Sequence, residues 1–173
     1  MIRQRTDEDL VACAAALRSV HEADRYPRSW PHDTLDWLRP PRQRRAWVAI
    51  ADGAGAGEIA GHVAVNVADG DPAIAVSTAG TGLPAERLMV VSRLFVVRAW
   101  RRRGTAQALL DHAVAHAHSM DLRPVLDVLE DDVGAVAFYA HIGWQRVGNI
   151  VFHSRDGEPL PAFVFAGPRP LSA

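Results

Sequence analysis

Val90 to Leu110 reads VVSRLFVVRAWRRRGTAQALL. An apolar run passes straight into a short basic loop, Arg101-Arg102-Arg103-Gly104-Thr105-Ala106, and the loop opens an amphipathic pattern. A helix start leaves its first backbone amides unpaired and pointing outward, which makes an anion site. Three arginines around one glycine point to a phosphate as the anion. Glycine lets the backbone approach that phosphate with no side chain in the way. Two commoner phosphate loops are excluded. No Gly-Lys-Ser/Thr follows, and G-x-G-x-x-G is missing. The plain alternative is an ordinary helix start with a solvated basic first turn.

A second segment narrows the choice. Pro124 to Trp144 reads PVLDVLEDDVGAVAFYAHIGW. It parses as a buried strand from Val125 to Leu129, an acidic turn, a helix from Val133 to His141, a stop at Gly143 and a new strand from Trp144. The first segment, R-x-x-G-x-A after a strand, resembles the pyrophosphate loop of the GNAT superfamily of N-acetyltransferases. The second resembles that family's A-x-x-F-Y-x-x-x-G-F/W segment, here Ala135, Phe138, Tyr139, Gly143 and Trp144. The two motifs stand in the family's order and at its usual separation.

The resemblance implies an α/β (α+β) GNAT fold, a mixed central sheet of about six to seven strands flanked by helices. It spans 1–173 as a single acetyltransferase domain. It implies acetyl-coenzyme A as co-substrate, no metal, and a primary amine of a small molecule or peptide as acceptor. Leu94, Phe95 and Val96 would align the pantetheine arm through their backbone, in a gap where the central strand splays from its neighbour. Arg102, Arg103, Gly104, Thr105 and Ala106 would offer amides to the diphosphate, with Arg101 adding a charge-assisted contact. Tyr139 aligns with the tyrosine that protonates the leaving sulfur, and Phe138 packs beside it. Asp132 stands where the family usually has asparagine, so amide donation to the cofactor is in doubt there. The general base is left open among Ser92, Glu86, His62, Glu22, Asp24 and ordered water.

The segment His21 to Trp30 lies where GNAT proteins cover the acceptor. It carries Glu22, Asp24, Tyr26 and Trp30, two carboxylates and two aromatic faces that suit a cationic amine. The competing reading pairs those carboxylates with local arginines. Other function classes remain to be weighed: a non-catalytic acyl-CoA-binding module on the same fold, or an acetyltransferase acting on aminoacyl-tRNA. The net charge of −1 opposes a nucleic-acid partner. His112 and His116 have a metal-compatible spacing but no third ligand in view.

The chain has 173 residues, 49% of them apolar, enough for a core in one domain. No apolar run reaches membrane-spanning length, and the N-terminus reads without a signal peptide's apolar stretch. The lone cysteine, Cys13, fits a reducing cytoplasm and a buried structural thiol. Homodimerisation is left open.

Along the chain, Ile2 to Arg5 reads as a strand and Thr6 with Asp9 as a capping box. Leu10, Cys13, Ala14, Leu17 and Val20 recur at helical spacing, and His21 to His32 breaks the pattern. Asp33 caps a short helix through Leu38. Trp47–Ala51 and Glu58–Val67 read as a hairpin around a glycine-rich turn. Pro72 to Ala79 reads as a short helix stopped at Gly80, with a strand as the competing reading. Val147–His153 and Ala162–Ala166 close the chain as strands.

Overall fold

The computed structural model describes residues 1–55 and 57–170. Ala56, inside the glycine-rich turn, lies outside them. The described residues form β1 (Ile2–Gln4), α1 (Leu10–Asp24), α2 (Thr34–Leu38), β2 (Gln43–Ile50), β3 (Ile59–Val67), α3 (Ile74–Thr81), β4 (Leu88–Val96), α4 (Thr105–Ser119), β5 (Arg123–Leu129), α5 (Val133–His141), β6 (Gln145–His153) and β7 (Pro159–Ala166). The seven strands bond in the order β1-β2-β3-β4-β5-β7-β6, a mixed sheet. Packing divides the chain into two compact units: Met1–Asn66 with Ser92–Ala113, and Val67–Val91 with Val114–Ala173.

In the first unit β1, β2 and β3 are antiparallel neighbours, with Gln4 opposite Trp47 and Trp47 opposite Val63. The Asp9 carboxylate accepts from the Thr6 amide at 2.8 Å and from the Thr6 hydroxyl at 3.2 Å, closing the expected capping box. A short 3₁₀ turn over Asp7–Asp9 then leads into α1. Its apolar stripe, Leu10, Cys13, Ala16, Leu17 and Val20, packs with Leu38, Val48, Ile59 and Phe95. Burial pushes the Cys13 thiol up to about 12, so it stays protonated and unreactive. The helix outlasts the pattern break read at His21. It runs to Asp24, and Arg25 ends it in the left-handed region at φ 62°, its amide bonding the His21 carbonyl. Both prolines of the following segment, Pro27 and Pro31, lie beyond that stop, so neither obstructs the helix.

In the second unit Leu88–Val90 of β4 run parallel to Arg123–Val125 of β5. β7 pairs antiparallel with both β5 and β6. The segment read as a helix over Pro72–Ala79 is a helix, displaced two residues onward. Asp71 accepts from the Ala73 amide at 2.9 Å, and Gly82, at φ 70°, forms the stop in place of Gly80. Gly80 is needed for a different reason. A Cβ there would lie 2.3 Å from the Val147 carbonyl oxygen on β6. Opposite it, a Cβ on Gly148 would lie 2.4 Å from Val76 Cγ1. Two missing side chains therefore seat α3 on β6.

This contact reverses the usual sign of a glycine-to-alanine change. Alanine favours a helix interior by about 1 kcal/mol over glycine. Overpacking against a backbone carbonyl that cannot rotate away costs about 1–3 kcal/mol or more. Gly80→Ala is expected to lower the urea midpoint of unfolding; an unchanged or raised midpoint would show that α3 does not bear on β6 this closely.

Candidate active site

The basic loop is built in the first unit from four contacts. Thr105 donates its hydroxyl to the Trp100 carbonyl at 3.1 Å. The Arg103 guanidinium stacks 4.8 Å from the centre of the Trp100 ring. Arg101 donates Nε to the Val96 carbonyl at 2.9 Å and pairs through Nη2 with Asp24, the last residue of α1. Arg102 and Gly104 both take left-handed backbone, at φ 59° and 77°. The first amide of α4 to bond back belongs to Ala108, onto the Gly104 carbonyl at 2.9 Å. Helix geometry leaves the amides of Thr105, Ala106 and Gln107 ahead of that ladder. A Cβ on Gly104 would meet nothing within 4 Å, so the loop opens outward there. Arg102 and Arg103 are exposed beside it. Open amides, a side-chain-free glycine and two exposed guanidiniums fit a diphosphate.

The resemblance gave Arg101 to the diphosphate. The structure instead commits two of its three nitrogens to bracing the loop against β4 and α1. The same pair engages Asp24, and its hydrogen bond with Arg101 holds the Asp24 carboxyl below the usual range. Its arginine partner is 77 residues away, not the local one weighed from sequence. Trp30 is also engaged. The Arg18 guanidinium lies 4.7 Å over its ring, and His21 packs against it at 5.0 Å. Tyr26 meets Trp37 edge-on at 6.3 Å. Of the four groups expected to grip a cation, Glu22 is the one left as an exposed carboxylate with no ion pair among those described.

Strand β4 carries an irregularity that sequence did not show. Arg93 sits in its middle with φ 53°, left-handed backbone that a long side chain rarely adopts. Its guanidinium lies 4.7 Å over the Trp37 ring. Its carbonyl is 2.9 Å from Nδ1 of His62 on β3. His62 is fully buried, stacked on Phe95 at 5.3 Å. Its other nitrogen, Nε2, is 3.0 Å from Nη1 of the buried Arg5. A guanidinium only donates, so Nε2 accepts and Nδ1 carries the proton given to the Arg93 carbonyl. Burial pushes the His62 pKa down to about 3, with the Arg5 and Arg93 charges adding to the shift. With both nitrogens engaged, His62 is removed from the candidate bases.

The second unit holds the remaining residues. Tyr139 is buried, its ring 5.7 Å from Trp144 and 5.8 Å from Phe165. Phe138 is half-buried beside it at 5.3 Å. Asp132 caps α5, its Oδ1 accepting from the Ala135 amide at 3.0 Å. Aspartate is among the strongest N-cap residues, which fits this position. Among the described residues no group of three or more His, Cys, Asp or Glu side chains is placed to hold a metal ion.

The acetyltransferase (GNAT) family model matches residues 8–144. The chain belongs to the GNAT acetyltransferase family. Solved structures show the same fold. The ribosomal-protein-S18-alanine N-acetyltransferase from Escherichia coli aligns with a TM-score of 0.70 at 16% identity, covering 100% of this chain and 96% of its own. NAA60 of Arabidopsis thaliana, solved in complex with acetyl-CoA, aligns at 0.73 and 17%, covering 96% and 97%. The ribosomal-protein-alanine N-acetyltransferase from Brucella melitensis aligns at 0.69 and 16%, covering 96% and 98%. No curated protein sequence matches the chain. Acetyl-CoA is the acetyl donor of the GNAT family, and its members act on amine acceptors.

In this GNAT chain the buried histidine has a measurable signature. Its folded-state pKa lies below the usual 6.5, so unfolding takes up a proton as pH falls beneath that value. The stability involved is present above pH 6.5 and is lost as pH drops towards 3. Between pH 7 and pH 5 the parent is expected to lose about 2 kcal/mol more than a His62→Asn variant. Urea unfolding at the two pH values checks this; equal losses would mean that His62 titrates normally in the fold.

Proposed function

We propose that this protein transfers the acetyl group of acetyl-CoA to a primary amine of a peptide or small molecule, by direct attack in a ternary complex. The carrying observation is the loop at the start of α4: left-handed backbone at Arg102 and Gly104, open space at Gly104 and exposed arginines. Acetyl-CoA supplies an acetyl group already activated as a thioester. The chain's own work is positioning, which is worth several kcal/mol, about seven or more in good cases. Amides of Arg102 to Ala106 hold the diphosphate, with the Arg102 and Arg103 side chains adding charge. The backbone of Leu94, Phe95 and Val96 aligns the pantetheine arm, and an amide there polarises the thioester carbonyl. Tyr139 donates the proton that the departing thiolate takes up. A phenol keeps its proton at neutral pH and can give it. That role rests on the motif Ala135–Phe138–Tyr139–Gly143–Trp144.

On the acceptor side Glu22 is the group that would draw an ammonium. Two structural neighbours are named for acetylating ribosomal-protein alanine, which favours a peptide's terminal amine over a lysine-like side chain. An acetyl-transfer screen over N-terminal peptides, amino acids, polyamines and aminoglycosides tests the acceptor class.

The phosphate loop has its own test. Gly104→Glu places a carboxylate where the diphosphate would meet the amides. At φ 77° a side chain on residue 104 costs about 1–2 kcal/mol of backbone strain, small against the stability of a folded domain. Calorimetry is expected to show acetyl-CoA binding abolished in a folded variant, and unchanged affinity would refute the loop's role.

Tyr139→Phe keeps the ring between Trp144 and Phe165. General acid catalysis is typically worth about a hundredfold or more. Turnover is expected to fall by that order with acetyl-CoA affinity little changed. A turnover within about twofold of the parent would remove Tyr139 from the acid role.

A further inference from the structure

A left-handed arginine inside a strand is strained and persists only where its surroundings over-determine it. Three groups hold Arg93. The Asn66 amide donates to Ser92 Oγ at 2.7 Å, and Arg93 Nη1 donates to the same oxygen at 3.1 Å. Trp37 takes the guanidinium face. The buried His62 takes the carbonyl. The third differs in kind. The carbonyl of residue 93 and the amide of residue 94 belong to one rigid peptide plane. Holding that oxygen therefore sets the direction of the Leu94 N–H, the first amide of the stretch Leu94–Val96.

His62 is itself held from behind. Arg5 Nη1 donates to the Leu38 carbonyl at 2.7 Å as well as facing His62 Nε2. The Gln43 amide, oriented so that both its ends are satisfied, accepts from Arg5 Nη2 at 3.0 Å and donates to Leu38 at 2.8 Å. The chain of bonds runs from the Leu38 carbonyl through Arg5 and His62 to the peptide plane of β4. A neutral imidazole is the one histidine form that can accept from Arg5 and donate to Arg93 together.

We infer that His62 is a positioning residue for the pantetheine arm: its bond to the Arg93 carbonyl, braced by Arg5, aims the Leu94–Val96 amides at the cofactor. This rests on the acetyl-CoA reading of the site. His62 touches no reacting atom, and its effect passes through the peptide plane.

The bland alternative is a core histidine with satisfied nitrogens and no bearing on ligand. Two substitutions separate them. The amide nitrogen of Asn reaches about where imidazole Nδ1 lies, so His62→Asn can keep the bond to Arg93. The amide of Gln reaches about where Nε2 lies, so His62→Gln keeps the contact with Arg5 and loses the bond to β4. Calorimetry is run with two probes: acetyl-CoA, and 3′-phosphoadenosine diphosphate, which lacks the pantetheine arm. His62→Gln should weaken acetyl-CoA binding about tenfold and leave the fragment within about twofold, as loss of one well-placed hydrogen bond implies. His62→Asn should return acetyl-CoA affinity to within about threefold of the parent.

Equal acetyl-CoA affinities in the two variants, or parallel losses for both probes, would overturn the positioning role. A parent that binds neither probe overturns the acetyl-CoA reading itself, a separate failure. Should either variant not fold, nitrogen NMR of the parent decides. A shift of the His62 Nδ1–H resonance on adding acetyl-CoA but not 3′-phosphoadenosine diphosphate supports the inference; no shift with either probe, or equal shifts with both, overturns it.

Discussion

A buried imidazole that must both give and take a hydrogen bond organises the first unit. His62 is sealed from bulk solvent, and a buried polar nitrogen left unpaired costs about 1–3 kcal/mol. Arg5 on one side and the Arg93 carbonyl on the other satisfy it only if it stays neutral and carries its proton on Nδ1. That requirement ties the chain just after β1, the end of α2 and two central strands into one arrangement. It also explains how a left-handed arginine survives within β4.

The basic loop obeys a similar economy of partners. Four arginines in the run from Arg98 to Arg103 look alike in sequence, yet they have separate duties. Arg101 turns inward and joins the last carbonyl of β4 to the last carboxylate of α1. Arg103 flattens on Trp100. What remains open is the backbone itself, at Gly104 and the first turn of α4. An anion bound there would meet a braced loop, and bracing lowers the ordering cost of binding.

Much of the site was legible because it is local. A strand, a basic turn with one glycine and a helix start stand within 21 residues, and α5 was read at its observed bounds, Val133–His141. Long-range pairing was not legible. Asp24 looked like an acceptor carboxylate because it stands among Glu22, Tyr26 and Trp30, and only local arginines were weighed as partners; its actual partner, Arg101, is 77 residues away. Trp30 looked like a cation platform, and Arg18 already lies over it. Gly80 looked like a helix stop because glycine often is one, whereas the constraint comes from Val147 on another strand. The end of α1 was misjudged because two prolines drew attention, while Arg25 supplies the stop through a backbone angle that no side-chain pattern announces.

By itself the sequence determined the class of the chain, the basic turn at a helix start and the order of its elements, because each depends on residues close together along the backbone. Apolar period, glycine placement and charge clustering act over a few residues and can be read directly. Only the tertiary structure decided which arginine braces and which stays exposed, which histidine is neutral, and where β4 bends. Those outcomes depend on which buried donors and acceptors meet across strands, and partners such as Arg5 and His62 stand 57 residues apart.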